Sequence, residues 1–360
     1  PEFYQETHAA LQGCLGCKAC VSSCPVSVNI PKFKAKFLQS FYKQQKRSMQ
    51  DYLIANMEEI IQIQSKLPRF FNLINSVFEP LIQRLIKLQD LPKLAAPSLT
   101  QLLKKHKIKI YNPKKVLDQQ DNIICLLQDS FTSFYEPNIV IATYKLFEKL
   151  GMRVLLLPYK TSGKGKHLTG YLDEFAKVVH RNNQFYGKIN KHKLPMLGIE
   201  PSITLSYRDE YPDVLKDKQK FNVQLIQEFL SKHIEKHNNN LPLPSKANSQ
   251  TYYLFTHCHE TALLPTSPVI WQKIFTAFGQ KLEIINTGCC GMAGSYGHIT
   301  KNTKNSCELY NLGWKDTIHH IKNKQHILAT GFSCRSQIKR ISGFVAKHPV
   351  EVLVEIVVLP

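Results

Sequence analysis

Four cysteines, Cys14, Cys17, Cys20 and Cys24, spaced C-x2-C-x2-C-x3-C with Pro25 after the last, constrain this chain more than any other feature. Thiols this close in sequence have to wrap around one object. The spacing is that of the bacterial iron-sulfur run, in which thiolates hold a cubane and the proline turns the chain away. Structural zinc sites use two ligand pairs separated by a longer loop, so three cysteines at successive short spacings favour a 4Fe-4S cluster over zinc. A disulfide is disfavoured, since there is no long loop to close and no signal-peptide pattern before the run. In two-cluster ferredoxins the fourth cysteine of such a run ligates the other cluster. This chain has one run. Either Cys24 closes a single cluster with Cys14, Cys17 and Cys20, or it points at a second cluster whose other ligands lie elsewhere.

The 360 residues suffice for two or three domains with real cores, and 43% hydrophobic with 21% charged residues is a globular composition. No apolar run reaches the length of about 18 residues that a transmembrane helix needs. The chain opens at Pro1 with the thiol run close behind, an abrupt start that reads as the C-terminal piece of something longer. A formal charge of +20 draws it towards anionic surfaces, with concentrations at Lys32, Lys34, Lys36, at Lys43, Lys46, Arg47 and at Lys104, Lys105, Lys107, Lys109. These read first as a solvated lysine-rich surface. Nucleic acid is not expected as a partner, because interleaved stacking aromatics and nucleic-acid motifs are missing. An acidic protein or the anionic face of a membrane stays open.

After Pro31, apolar residues recur at helical spacing: Phe33, Phe37, Phe41, then Leu53, Ile54, Met57, Ile60, Ile61. Pro68 breaks the pattern, and Phe70, Phe71, Leu73, Ile74, Val77, Phe78, Leu81, Ile82, Leu85 and Ile86 start a second stripe, expected to be core. A helical domain thus runs over 1–112, with Asn112-Pro113 as a linker. Beyond it, short apolar runs alternate with amphipathic helices, the pattern of α/β layers with parallel strands. Strands are expected at Ile123 to Leu127, Val154 to Leu157 and Pro195 to Ile199, with helices over Pro137 to Leu150 and over 168–186. A polar connection from Asn238 to Ser249 follows, and the order repeats. Strands fall at Tyr252 to Phe255, Leu282 to Ile285 and Ile327 to Ala329, helices at Pro268 to Phe278 and 299–321. Thr161-Ser162-Gly163 follows Gly151 at the spacing with which Cys289-Cys290-Gly291 follows Gly279. Residues 113–245 and 246–360 therefore read as two copies of one unit, and the second carries thiols where the first has none.

Those thiols are Cys258, Cys289, Cys290 and Cys334, each just after an expected strand. The carboxyl ends of parallel strands line one crevice, so three loops distant in sequence converge there. Adjacent Cys289 and Cys290 fit a multi-iron cluster better than one small ion. Gly288 and Gly291 let backbone approach closely, and a helix starting near Ile299 aims its amides at the thiolates. His257 and His259 flank Cys258, and a histidine there more often orients ligands than binds. Cys125, inside a strand, and Cys307, inside a helix pattern, read as core thiols.

With these residues in view the chain resembles the cysteine-rich, CCG-type iron-sulfur proteins over its whole length. More narrowly, Gly13 to Pro25, Gly288-Cys289-Cys290-Gly291-Met292-Ala293-Gly294, Ser295-Tyr296-Gly297-His298, Ala329 to Gln337 and His348-Pro349 look like the C-terminal part of bacterial FAD-linked D-2-hydroxyglutarate dehydrogenases. The resemblance implies an α/β fold class with an N-terminal all-α ferredoxin-like domain and duplicated open parallel-sheet (CCG) repeats. It implies a 4Fe-4S cluster, a second iron-sulfur or metal centre, and FAD on a domain or partner outside this chain, which has no glycine-rich dinucleotide motif opening a helix. Electrons would pass from a flavin-binding dehydrogenase domain or subunit to a quinone or an electron-carrier protein. Lys18, beside the first cluster, would raise its potential. Two other roles compete: a catalytic subunit like that of heterodisulfide reductase, and a structural metal module. The CCG pattern often ends in C-x2-C and here Gln337 stands at the last position, which weighs against the catalytic role. A reducing cytoplasm, or the inner face of a membrane, is the expected setting.

Overall fold

Aliphatic runs of two to five residues become seven strands in the computed structural model, which describes residues 2–113, 122–237 and 249–357. In the first sheet β1 (Ile123–Leu126), β2 (Arg153–Leu156), β3 (Met196–Gly198) and β4 (Gln224–Leu225) lie in the order β2-β1-β3-β4. The second holds β5 (Thr251–Phe255), β6 (Lys281–Ile285) and β7 (Ile327–Ala329) in the order β6-β5-β7. All pairings are parallel, with Cys125 opposite Leu155 and Met196, and Leu254 opposite Ile284 and Leu328. Each sheet thus has its first strand in the middle. The order reverses there, which opens a crevice at the strand ends. The edge strand β4 was not among the expected strands.

Period-two alternation gives every strand two apolar faces. Ile124, Leu126, Val154 and Leu156 from the first sheet enter one core with Tyr252, Leu254, Leu282 and Leu328 from the second. Helices Pro137–Lys149, Ile226–His237, Ser267–Ala277 and Pro349–Ile356 fill the space between, so both sheets share one apolar layer. The opposite faces pack outward. Ile123, Cys125 and Leu155 join Phe175 and Tyr207, while Phe255, Ile327 and Ala329 join Tyr310 and Trp314. Cys125 is a fully buried core thiol, whereas Cys307 is only partly buried, 3.4 Å from the Arg340 guanidinium.

Helix boundaries depart from the periodicity where tertiary contact intervenes. The helix expected over 168–186 is two helices, Lys164–Leu168 and Leu172–Asn190. The break is at Gly170, φ +72°, where a Cβ would sit 2.6 Å from the Leu38 Cβ. The helix expected over 299–321 is interrupted too. Helix Thr303–Tyr310 passes into a π turn at Asn311–Lys315, whose Trp314 Nε1 donates to Gly288 O at 2.9 Å. The first helical region is likewise cut into Ile30–Gln44, Met49–Ala55 and Met57–Gln64. The stripe from Phe70 to Ile86, expected as core, forms helices Pro68–Val77 and Glu79–Ile86 that bury no residue. Each has a one-sided apolar face, of which Phe71, Ile74, Ile82 and Ile86 are half-buried against the rest of the protein while Leu73, Val77, Leu81 and Leu85 stay exposed. Ile110 joins the edge of the first sheet beside Leu156, so the expected linker begins there. Residues 114–121, and 238–248 of the expected polar connection, lie outside the described residues.

Buried polar contacts dock the helical segment on the first sheet. The Glu58 carboxylate accepts from Ser162 N at 3.1 Å, Ser162 Oγ at 2.9 Å and Gly163 N at 2.6 Å. Lys166 Nζ reaches Glu59 at 2.7 Å and Asn56 at 3.0 Å. Arg47 donates to the carbonyls of Thr169 and Gly170 at 2.7 and 2.8 Å and lies 3.7 Å over the Tyr171 ring. A cation-π contact of that kind is worth about 1 kcal/mol, less than the cost of stranding the two amides that Glu58 satisfies.

Glu58→Ala should therefore lower the unfolding free energy by about 2–4 kcal/mol in urea titrations, because buried amides lose their acceptor. Arg47→Ala should cost about half as much or less; equal losses would show that the carboxylate is not the main anchor. Burial pushes the Glu200 carboxyl, which accepts from Phe332 N at 2.9 Å, up to about 8. A carboxyl raised in the folded state contributes stability below its unfolded value and loses it as pH rises towards 8. The melting temperature of Glu200→Gln relative to wild type should therefore rise by about 2 °C or more between about pH 5 and pH 8.5. A constant difference across that range would show that Glu200 titrates normally.

Candidate metal centre

The helix Glu2–Gln12 delivers the first run, and Cys14 N caps its end on Leu11 O at 3.1 Å. Gly16 (φ +69°) and Lys18 (φ +65°) then turn the chain so that Cys17 and Cys20 follow in a tight loop, Cys20 on the short helix Ala19–Ser23. Cys24 ends that helix, its N–H on Cys20 O at 3.2 Å. Backbone N–H groups of Val28 and Val26 hold the Cys24 thiol below its ordinary range. Cys17 is more enclosed. Burial pushes its thiol up, and it lies within electrostatic reach of Cys289 as well as Cys14 and Cys20.

The second constellation is carried by strand ends. Cys258 starts the helix Cys258–Leu263 after β5, Cys289 and Cys290 follow β6, and Cys334 lies in the first turn of helix Phe332–Ser342 after β7. Close backbone passage at Gly331, where a Cβ would fall 2.2 Å from the His257 ring, and the bond from His257 N to Thr330 Oγ1 at 2.9 Å clamp two of these loops together. Gly291, at φ +84°, passes Ser306 O so closely that a Cβ would lie 2.2 Å from it. The Cys258 and Cys290 thiols donate to Cys289, which holds Cys289 well below the ordinary thiol range and pushes the two donors well above it. Gly291 N lies 3.4 Å from the Cys289 sulfur, and Cys290 also contacts Cys334.

The structure brings the two constellations together. The helix Ala19–Ser23 packs against the helix Cys258–Leu263, and Cys17 is within electrostatic reach of both Cys258 and Cys289, so the run lies beside the second group. Cys17 is the cysteine of the run that comes within electrostatic reach of the second group. Among the described residues no three His, Cys, Asp or Glu side chains meet at the spacing of one bound metal ion. The crevice offers a chain of sulfur contacts instead. Soft sulfur donors select iron-sulfur clusters, zinc or Cu(I), and amide N–H groups beside sulfur favour the thiolate form, so the donor set fits a sulfur-ligated group.

The charge around the crevice differs from the sequence reading. Lys18 is not a free cation next to the run: its side chain is buried against Asp209 and Glu210, and Lys164 reaches the same Glu210 at 2.5 Å. Two lysines and two carboxylates cancel, so Lys18 cannot raise a potential by a net charge. Burial opposes ionisation of Glu210, but Lys164 and Lys18 hold it well below the usual carboxylate range. The cation with a claim on the run is Lys34, largely buried, its Nζ 3.2 Å from Cys14 O. Its spacing from the cysteines gave no hint of this. Burial lowers His257 to about 4, and its Nδ1 accepts from His259 N at 3.2 Å, so it is neutral and serves as a helix cap. His259 faces the Lys164–Glu210 group, and its Nε2 is buried without a partner. Gln337 is fully buried and donates to Ser306 O at 3.1 Å, a structural role.

The first copy has the same backbone turn, with Gly163 at φ +76°. There Ser162-Gly163, the counterpart of Cys290-Gly291, is closed by the Glu58 carboxylate. Sequence spacing located this loop but not the glutamate that fills it, which comes from a helix remote in sequence.

The chain is similar to D-2-hydroxyglutarate dehydrogenases. It is 37% identical to that of Escherichia coli K12 over 365 residues, 99% of this chain and 35% of the dehydrogenase. With the dehydrogenase of Pseudomonas putida it shares 32% identity over 360 residues, 98% of this chain and 35% of the other. It thus spans about a third of the length of these dehydrogenases. A more distant similarity, 21% over 244 residues, is to one component of the anaerobic glycerol-3-phosphate dehydrogenase of Escherichia coli, covering 66% of this chain and 60% of that component. No family model matches.

In metal-free, reduced protein, iodoacetamide at about pH 6 should label Cys289 at least about tenfold faster than Cys125, because the thiolate is the nucleophile. Burial pushes the Cys125 thiol up to about 12. Peptide mapping by mass spectrometry reads both rates, and equal rates would contradict the assignment of the thiolate to Cys289.

Proposed function

We propose that this chain is the iron-sulfur electron-transfer portion of an FAD-linked D-2-hydroxy-acid dehydrogenase of the D-2-hydroxyglutarate type. The observation that carries the reading is the approach of Cys17 to Cys258 and Cys289, one thiol run lying beside a second group of thiols. Similarity over 99% of the chain to dehydrogenases about three times its length supports it, and the likeness to a component of the glycerol-3-phosphate dehydrogenase points the same way.

Cys14, Cys17 and Cys20 would hold a 4Fe-4S cluster, with Cys24 as the candidate for its remaining position. Cys258, Cys289, Cys290 and Cys334 would hold a second iron-sulfur or metal centre. When bound, such clusters accept and release single electrons. The residues of this chain supply the rest. Cys290 and Cys334 are buried at the sheet ends while Cys258 and Cys289 are half-buried, Gly291 N steadies the Cys289 thiolate, and Lys34 presents positive charge behind Cys14. The compensated set of Lys18, Lys164, Asp209 and Glu210 fixes the first run against the first sheet without adding net charge. In this reading the helical segment is ferredoxin-like and the two sheets are CCG-type repeats, the first with its thiol position closed by Glu58. FAD and the 2-hydroxy acid would sit on a domain or subunit outside this chain, and a quinone or an electron-carrier protein would take the electrons.

No described helix is long and apolar enough to cross a membrane. Contact with a membrane would then be peripheral, at its cytoplasmic face.

Anaerobically purified protein should contain about four iron and four sulfide for each cluster, with paramagnetic resonance signals after reduction. Cys17→Ser and Cys289→Ser should each lose a different part of that signal, and because the thiols are neighbours each should also perturb what remains. Protein that carries only zinc, or no metal, would overturn the electron-transfer reading and favour a structural metal module.

A further inference from the structure

A half-open cavity of about 270 Å³ lies between the helical segment and the second repeat. Its size is near the lower end of small-molecule pockets, roughly 300 Å³. One wall is aliphatic, with Ile61, Ile82 and Ile86. The facing wall is a stack of rings: Phe332 lies 5.0 Å from Phe131 and 5.2 Å from Tyr135, with planes inclined by 19° and 23°. Such a wall offers a flat face to another flat ring. Polar groups enter at Ser295 and at His298, whose Nδ1 is 3.1 Å from Gln89 O.

Two further observations say what kind of molecule the cavity suits. Part of its lining is continuous in sequence with the loops that carry the thiols. Gly294, in the loop that carries Cys290, lines the cavity and donates to Ser333 Oγ at 3.2 Å, and Ser333 precedes Cys334. Its approach is apolar. The helices that supply Asn75, Ile82 and Ile86 to the lining turn Leu73, Val77, Leu81 and Leu85 outward, at 63%, 63%, 50% and 67% exposure. Arg69, Arg84 and Lys87 stand on the same two helices or directly after them. Exposed leucines among basic residues are how a protein meets the edge of an anionic bilayer. A polar ligand would need no such approach.

We propose that this cavity binds a lipid-soluble redox carrier of the quinone class, its ring against the aromatic wall of Phe131, Tyr135 and Phe332 and its tail leaving across the exposed helix faces. The inference rests on the reading of the thiol crevice as an electron-transfer centre and adds where the acceptor is held.

Decylubiquinone titrated calorimetrically into the anaerobically purified chain tests it, with dodecanoic acid as a tail without a ring. Decylubiquinone should bind with a dissociation constant in the micromolar range and dodecanoic acid at least about tenfold more weakly. Ile82→Trp, which fills the cavity, and Leu91→Trp on its rim should each weaken quinone binding about tenfold or more. Leu312→Ser, which removes an 84% exposed leucine elsewhere, should leave it unchanged. Circular dichroism checks folding, and if Ile82→Trp does not fold, Leu91→Trp decides. Absence of binding to wild type, tryptophan variants that bind as wild type does, or dodecanoic acid binding equally tightly would each overturn the proposal. Iron and sulfide assayed on the same samples separate the two readings. Protein without iron that still binds the quinone keeps the cavity and loses the electron-transfer role, whereas iron-loaded protein that fails to bind loses the cavity alone.

Discussion

The apolar layer shared by the two sheets is the contact on which the rest depends. Ile124 and Leu126 on one side and Leu254 and Leu328 on the other are buried in the same core, filled by helices from both repeats. Burying such side chains contributes roughly 1.5–3 kcal/mol each, so separating the sheets would expose far more than any polar contact could restore. With the sheets fixed, the carboxyl ends of β5, β6 and β7 are fixed, and with them the loops that carry Cys258, Cys289, Cys290 and Cys334. The thiol crevice is a by-product of parallel strand order, which gathers loops at one edge whatever residues they bear.

The helical segment is held in two ways. Leu99, Leu102 and Leu103 join the shared apolar core, and a second contact, with the first sheet unit, is polar, through Glu58 on Ser162 and Gly163, Lys166 on Glu59, and Arg47 on two carbonyls. Unlike an apolar contact, this one is directional, because each donor needs its acceptor in place. That directionality fixes the orientation of a segment whose Cys17 lies within electrostatic reach of Cys289. The first copy of the sheet unit therefore serves as a mount: its thiol position holds a carboxylate from the segment that has to be positioned.

Charge follows the same economy. Lys18 and Lys164 are cancelled by Asp209 and Glu210, so a formal charge of +20 over the whole chain says little about the potential at the thiols. Removing one member would leave an unpaired buried charge, which is costlier than the pair is stabilising. The surplus positive charge lies at the surface, where it bears on partners.

By itself, the sequence determined the elements and the local thiol run. Cysteine spacing marked a tight loop of four thiols, and alternating apolar runs placed six of the seven described strands. These are legible because they depend on neighbours in the chain. Tertiary structure decided the rest. Helices broke at Gly170 and near Trp314, where distant backbone came too close for continuous periodicity. The stripe from Phe70 to Ile86 proved largely exposed, because apolar periodicity records what a helix can bury and not whether a partner surface is there. The closing of the first loop by Glu58, the neutralisation of Lys18 and the approach of Cys17 to the second thiol group each join residues far apart in sequence. No local pattern encodes such pairs, since they are fixed by the way two sheets and a helical segment pack.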